Sequence, residues 1–223
     1  MCIRDSLIFV EAVTEYPNGD IANYLNIKKN AGAARERMLS NQMTGKLPWG
    51  MFKVIRRDLL EKVNVQFEGY SVGEEAIFSF EILRNAQNVK FADKVIYHYV
   101  QNSNGQHTKG DKDPWHPMVT AMKNHLQEIG EYEKYKKSLN SLALKAISIG
   151  MYRCTMNTNV TDAIKFMSNL HKEYSEEFDI KTFDKESLDT ATRCVLEMLN
   201  YKAYLLIYIA SRLRKSKQDK LRG

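Results

Sequence analysis

The chain has 223 residues, 43% of them hydrophobic and 27% charged, with a formal net charge of +6 at neutral pH. That apolar content excludes wholesale disorder and leaves room for one domain with an extension, or two small domains. The modest basicity suits an anionic partner such as a nucleotide diphosphate, acidic lipid headgroups or nucleic acid, and ordinary solubilising charge explains it equally well.

Residues 1–6, Met-Cys-Ile-Arg-Asp-Ser, match one reading frame of a transposon end used in sequencing libraries (ATG TGT ATA AGA GAC AG). They read as translated adapter and are set aside from fold reasoning, with the parent gene expected to continue upstream. From Leu7 to Tyr16 an apolar start turns into alternation, the pattern of a strand. Pro17-Asn18-Gly19 is a turn, because Pro fixes φ and Gly permits positive φ. Ile21 to Ile27 reads as the return strand, and Ala31 to Met43 as a helix with Ala34, Met38 and Leu39 on one side. Leu47 to Ile55 is a short apolar segment whose Pro48 places an edge or loop at its start. Arg56-Arg57-Asp58-Leu59-Leu60 opens a surface helix.

Glu74 and Glu75 follow Gly73 and open an apolar run at helical spacing, Ile77, Phe78, Ile82 and Leu83, which ends near Asn85. Two short strands are expected next, Val89 to Phe91 and Lys94 to Val100. Adjacent carboxylates at a helix mouth, with strands feeding a polar loop behind them, are a place for acid/base chemistry. Two first-turn acids favoured by the helix dipole explain the same residues without catalysis.

Lys109 to Pro114 is a polar linker, after which strand signals stop. Stripes at Val119, Met122, Leu126 and Ile129, at Leu142, Leu144, Ile147 and Met151, and at Ala163, Phe166, Met167 and Leu170 predict four or five helices. Asp162 and Asp184 read as early-turn acids, with Thr161 or Thr182 as caps. The last helix is expected from about Thr190 to Ser216, an aromatic-aliphatic block followed by Arg212, Arg214, Lys215, Lys217, Lys220 and Arg222. It suits attachment to an anionic membrane surface, or simple docking with a cationic end that complements the helix dipole. Cys2, Cys154 and Cys194 fall in no metal or redox spacing, and no apolar run approaches the roughly 20 residues that cross a bilayer. A cytoplasmic location is expected, with peripheral contact at the inner face of the membrane through the basic helix.

Trp49, the Arg56 to Leu60 run, Phe67, Gly73-Glu74-Glu75 with Phe78, and Tyr97-His98-Tyr99 occur in an order that resembles family 2 glycosyltransferases. The likeness is to the C-terminal half of the catalytic domain of these bacterial enzymes of capsule, teichoic acid and exopolysaccharide synthesis. It covers residues 7–108. It implies an α/β fold, a partial Rossmann-like GT-A domain, followed by an all-α region over residues 109–223. It also implies inverting transfer of a sugar from a nucleotide-sugar donor to a glycan or lipid-linked acceptor. Glu75 takes the place of the catalytic base, where the family commonly carries Asp, and Glu74 is a positioning acid beside it. Trp49 would lie near the acceptor, and His98, Gln101, Ser103 and His107 would line the substrate side.

The resemblance further implies Mn²⁺ or Mg²⁺ bound by an Asp-x-Asp after an earlier strand, expected upstream of Leu7. Asp111-Lys112-Asp113 sits downstream, in a polar loop with Lys between the acids, so no metal is expected within this chain. No nucleic-acid partner is expected from the transferase reading. The rival reading is a non-enzymatic helical interaction module with a basic membrane- or nucleic-acid-binding surface.

Overall fold

A computed structural model describes residues 7–16, 19–23, 27–50, 52–67, 69, 72–100, 113–156 and 158–222. The chain divides into two compact units, Met1–Lys109 and Gly110–Gly223.

The first unit is mixed α/β and built on strand β1, Leu7–Glu15. Antiparallel to it run β2, Ile21–Asn23, paired with Val13 to Glu15, and β3, Lys53–Ile55, paired with Leu7 to Phe9. Strand β4, Val89–Val100, lies parallel to β1 along its whole length. Because β4 takes one edge from end to end, β2 and β3 share the other edge at opposite ends of β1. Leu7 and Phe9 are fully buried, and Phe9 stacks on Phe91 with ring centroids 5.3 Å apart. The alternate residues Val10 and Ala12 pack with Phe52, Ile8, Ala92 and Tyr97. β1 is therefore covered on both faces, which explains its nearly continuous apolar sequence.

Three helices complete this unit: α1 Arg35–Met43, α2 Arg57–Val63 and α3 Glu75–Asn85. Arg35 ties α1 to α3 by donating to the carbonyl of Leu83 at 2.7 Å, a last-turn acceptor of the helix. Helix α1 ends in a Schellman turn, with Gly45 at φ +70°, Lys46 N donating to Asn41 O at 2.8 Å and Gly45 N to Gln42 O at 3.2 Å. Two expectations need correction here. Of the expected return strand, Ile21–Asn23 is strand, residues 24–26 lie outside the described residues, and Ile27–Asn30 is a 3-10 turn rather than strand. The two short strands after α3 are one, because β4 absorbs the polar Asp93-Lys94 step as a shift of register near Val10 and Glu11.

The second unit is all helical among the described residues: α4 His116–Glu128, α5 Tyr132–Cys154, α6 Val160–Glu177, α7 Thr190–Asn200 and α8 Tyr204–Arg222. Helix α5 is the hub, touching α4, α6, α7 and α8. It buries Leu139, Leu142, Ala143, Leu144, Ala146, Ile147 and Met151, wider than one stripe, because neighbours surround it. The caps are Asn159 for α6 and Asp189 for α7, whose side chains accept from the amides of Asp162 and Thr192. Thr161 lies inside α6 and Thr182 in a turn, so neither caps; Asp162 is a first-turn acid, while Asp184 caps the 3-10 turn Lys185–Ser187. The single last helix of the sequence reading is two, broken at Tyr201 to Ala203.

Candidate functional site

The C-terminus of α1 organises the loop that carries Trp49. Gln42 is buried at its end, and its amide donates to the carbonyls of Leu47 at 3.3 Å and Pro48 at 3.0 Å. The Trp49 indole N–H donates back to the carbonyl of Gln42. The Trp49 ring also lies over the turn at Gly45, where a Cβ would stand 3.6 Å from Cζ2. A side chain at 42 and the backbone at 42 thus hold the half-buried indole in one place.

Lys53, the first residue of β3, reaches back under this loop. Its ammonium donates to Trp49 O at 2.7 Å, Gly50 O at 3.0 Å and Ser79 Oγ at 2.8 Å. Three acceptors match the three N–H bonds of an ammonium group. The Ser79 hydroxyl in turn donates to Trp49 O. Burial pulls the Lys53 amine down to about 7, and the negative charge of Glu75 nearby acts in the opposite direction.

Glu75 is the first residue of α3 and half-buried, whereas Glu74 stands at the cap position, exposed, with no side-chain capping hydrogen bond. Ser79 follows Glu75 by four residues, so both side chains lie on one face of α3. Gly50 brings the loop close: a Cβ there would stand 3.9 Å from Glu75 Oε1. Trp49, Gly50, Lys53, Glu75 and Ser79 form one cluster, with Phe52 and Tyr97 packed edge to face at 5.2 Å on the sheet beside it.

The other candidates fall elsewhere. His98 is exposed on β4, opposite Val13, with Nδ1 3.7 Å from Glu15 Oε2. That is four residues along β1 from the β3 pairing at Phe9, roughly 13 Å at the rise of a strand. Gln101, Ser103 and His107 lie outside the described residues, as do Asp111 and Lys112. Asp113 accepts from the Tyr174 hydroxyl at 3.2 Å in the second unit. Burial first, then the Asp113 charge, drives the Tyr174 phenol well above its ordinary range. Arg56 and Arg57 pair with Asp58 and Glu61 of their own helix, the latter at 2.8 Å, which leaves them as solvated surface pairs. Among the described residues no three His, Cys, Asp or Glu side chains converge to hold a metal ion.

Comparison with family models, with curated proteins and with solved structures yields no match for this chain. The cluster therefore rests on its own geometry. Gly50, Lys53 and Ser79 are members for which the sequence alone proposes no role; for Lys53 and Ser79 a signal exists: a lone Lys inside the apolar run from Leu47 to Ile55, and a Ser one turn beyond Glu75.

The second unit has a polar group of its own. Glu177 on α6 receives His116 Nε2 at 2.8 Å and the Thr120 hydroxyl at 2.8 Å, while Lys123 donates to its backbone carbonyl at 3.1 Å. Each member is satisfied by another, and together they fasten α4 to α6.

Proposed function

We propose that this chain is the C-terminal part of an inverting, GT-A-type family 2 glycosyltransferase that extends a cell-surface glycan from a nucleotide-sugar donor. The observation that carries the reading is the meeting of the Trp49–Gly50 loop with Glu75 at the mouth of α3. Those are the two residues to which the resemblance gives the acceptor platform and the base, and they are 26 positions apart in sequence.

Inverting transfer needs a base beside the acceptor hydroxyl, an aligned donor and charge compensation for the departing diphosphate. Glu75 would take the hydroxyl proton as the acceptor oxygen bonds to the anomeric carbon and the bond to the diphosphate breaks. Its half-buried carboxylate lies beside Gly50, close enough for its charge to act on the Lys53 amine. The role of Lys53 is positional: its three acceptors fix the backbone of Trp49 and Gly50 relative to α3. A divalent metal does not fit the described residues, which offer it no ligand cluster.

The test is to recover the coding sequence upstream of Leu7 and express the longer protein. Under this reading it binds a nucleoside diphosphate in a Mn²⁺- or Mg²⁺-dependent manner and transfers sugar, while residues 7–223 alone do neither. An upstream sequence without a nucleotide-binding βαβ unit, or a longer protein indifferent to nucleoside diphosphates, removes the reading.

A further inference from the structure

Helix α8 packs with one face and leaves the other bare. Ile207 and Ser211, one turn apart, are buried, and the helix lies against α5, α6 and α7. Polar contacts fix it there. His171 Nδ1 lies 2.9 Å from the Tyr204 hydroxyl, Arg212 donates to the carbonyl of Thr155 at 3.1 Å, and the Arg214 guanidinium sits 5.1 Å from the centre of the Tyr152 ring. On the opposite side Leu205, Ile209 and Leu213 recur at every fourth residue, with Leu206 beside them, and all four are between 46% and 68% exposed.

Single exposed apolar side chains are ordinary, but a stripe of four on one helix face is a binding surface in waiting. Its chemistry narrows the partner. From Arg212 to Arg222 the helix carries six Lys or Arg residues against one acid, Asp219. The basic run thus follows the apolar stripe directly in sequence within the same helix. Nucleic acid would use the cations and leave four aliphatic side chains in water. A second copy presenting this face would bring six cations against six, with one acid on each side to offset them. An anionic bilayer uses both features at once, headgroups for the cations and the acyl boundary for the leucines.

We propose that this face of α8 docks on an anionic lipid surface, lying in the interface plane. Leu205, Leu206, Ile209 and Leu213 enter the bilayer, and the basic run meets the headgroups. Among the described residues no helix is long and apolar enough to cross a membrane, so the contact is with one leaflet. The proposal rests on the surface of the second unit and stands apart from the transferase reading.

Co-sedimentation of the full chain with vesicles of phosphatidylcholine, with and without phosphatidylglycerol, tests it. The chain should pellet with the anionic vesicles and be released as salt rises, since the attraction is screened over about 8 Å at physiological ionic strength. Removing Lys215, Lys217 and Lys220 as Gln should weaken binding about fivefold per charge. The pair Ile209→Ser and Leu213→Ser, which leaves the charge unchanged, should abolish it. Ile209 and Leu213 are exposed and lie off the packed Ile207 and Ser211 side, and circular dichroism checks that the helices persist in each variant. No binding at low salt, equal binding to neutral vesicles, or indifference to the Ile209 and Leu213 pair overturns the proposal. So does a dimer in light scattering that the same pair dissolves while vesicle binding is unaffected.

Discussion

The Lys53 ammonium donates to Ser79 Oγ at 2.8 Å, one helical turn beyond Glu75, and so joins the edge strand β3 to α3. Ser79 is buried and its hydroxyl donates a hydrogen bond to the carbonyl of Trp49. Ser79→Ala takes an acceptor from a buried ammonium and a donor from a buried carbonyl. A cost of about 1–3 kcal/mol is expected, because the amine and the carbonyl each lose one of their partners without regaining water. Urea unfolding measures the cost. In a Trp115→Phe background, the Trp49 emission should shift to the red as its loop loosens. Unchanged stability and emission would mean that the Lys53 contacts with Trp49 and Gly50 suffice.

The same lysine gives the fold a pH signature. Its amine is held at about 7 in the folded protein and returns to its ordinary value of 10.5 when the chain unfolds. Below pH 7 both states carry the proton. Between 7 and 10.5 the unfolded state binds more protons than the folded one, so stability rises with pH across that window. Lys53→Met lacks the group and should lack this part of the slope. Comparing urea midpoints of the two proteins at about pH 6.5 and about pH 9, one below the onset and one inside the window, isolates the effect, because other titrations are common to both. Glu75→Gln removes the charge that lifts the amine and should move the onset lower. Parallel stability curves for the parent and Lys53→Met would contradict the assignment.

Local patterns carried the sequence reading where the residue types are unambiguous. The apolar periods of α3, α4, α5 and α6 and the β-branched and aromatic content of β1 and β4 identify their elements directly. Register did not follow from sequence: the step at Ala92-Asp93 separates two short strands in the sequence, whereas pairing with β1 keeps β4 continuous across it. In the candidate cluster, Glu75 and Trp49 are the two members that the proposed family pattern singles out. Lys53 was not, since one charge in an apolar run reads as a surface residue until Trp49, Gly50 and Ser79 surround it. The break between α7 and α8 was hidden for a different reason. Helix ends at Gly45 and Gly130 are announced by glycine at φ +70° and +71°, whereas this one places Lys202 at φ +51°.

That substitution makes a test. Lys202 N donates to Leu199 O at 2.9 Å and Ala203 N to Met198 O at 2.8 Å, which is a Schellman turn with Lys in the left-handed position. A non-glycine residue costs roughly 1–2 kcal/mol in that conformation, part of which glycine returns as extra freedom in the unfolded chain. Lys202→Gly should therefore stabilise the helical unit by up to about 1 kcal/mol, or raise its Tm by about 2–4 °C. Gly130→Ala at the end of α4 should shift it the opposite way. A lower Tm for Lys202→Gly would show that the lysine side chain contributes more than its backbone strain costs.

The carboxylate at the mouth of α3 decides the proposed chemistry, and it is tested in the longer protein. Glu75→Gln keeps size and hydrogen bonding but cannot accept the proton of an acceptor hydroxyl. Loss of a general base typically lowers rate by about 10²–10⁴-fold, so kcat should fall by that order while donor affinity stays nearly level. Glu75→Asp, the residue commoner in the proposed family, keeps a carboxylate that can accept the proton and should retain or raise activity. Glu74→Gln should do less to the proton-transfer step, as its side chain is exposed at the cap position. Gly50→Ala separates access from folding. Its Cβ would meet Phe52 at 3.8 Å and Glu75 Oε1 at 3.9 Å, ordinary contact distances, so the fold should persist while a methyl group crowds the carboxylate. Activity should drop in Gly50→Ala with a Tm close to the parent's. If Glu75→Gln transferred sugar at the parent's rate, Glu75 would be no base, and the helix dipole would be the better account of two acids at the start of α3.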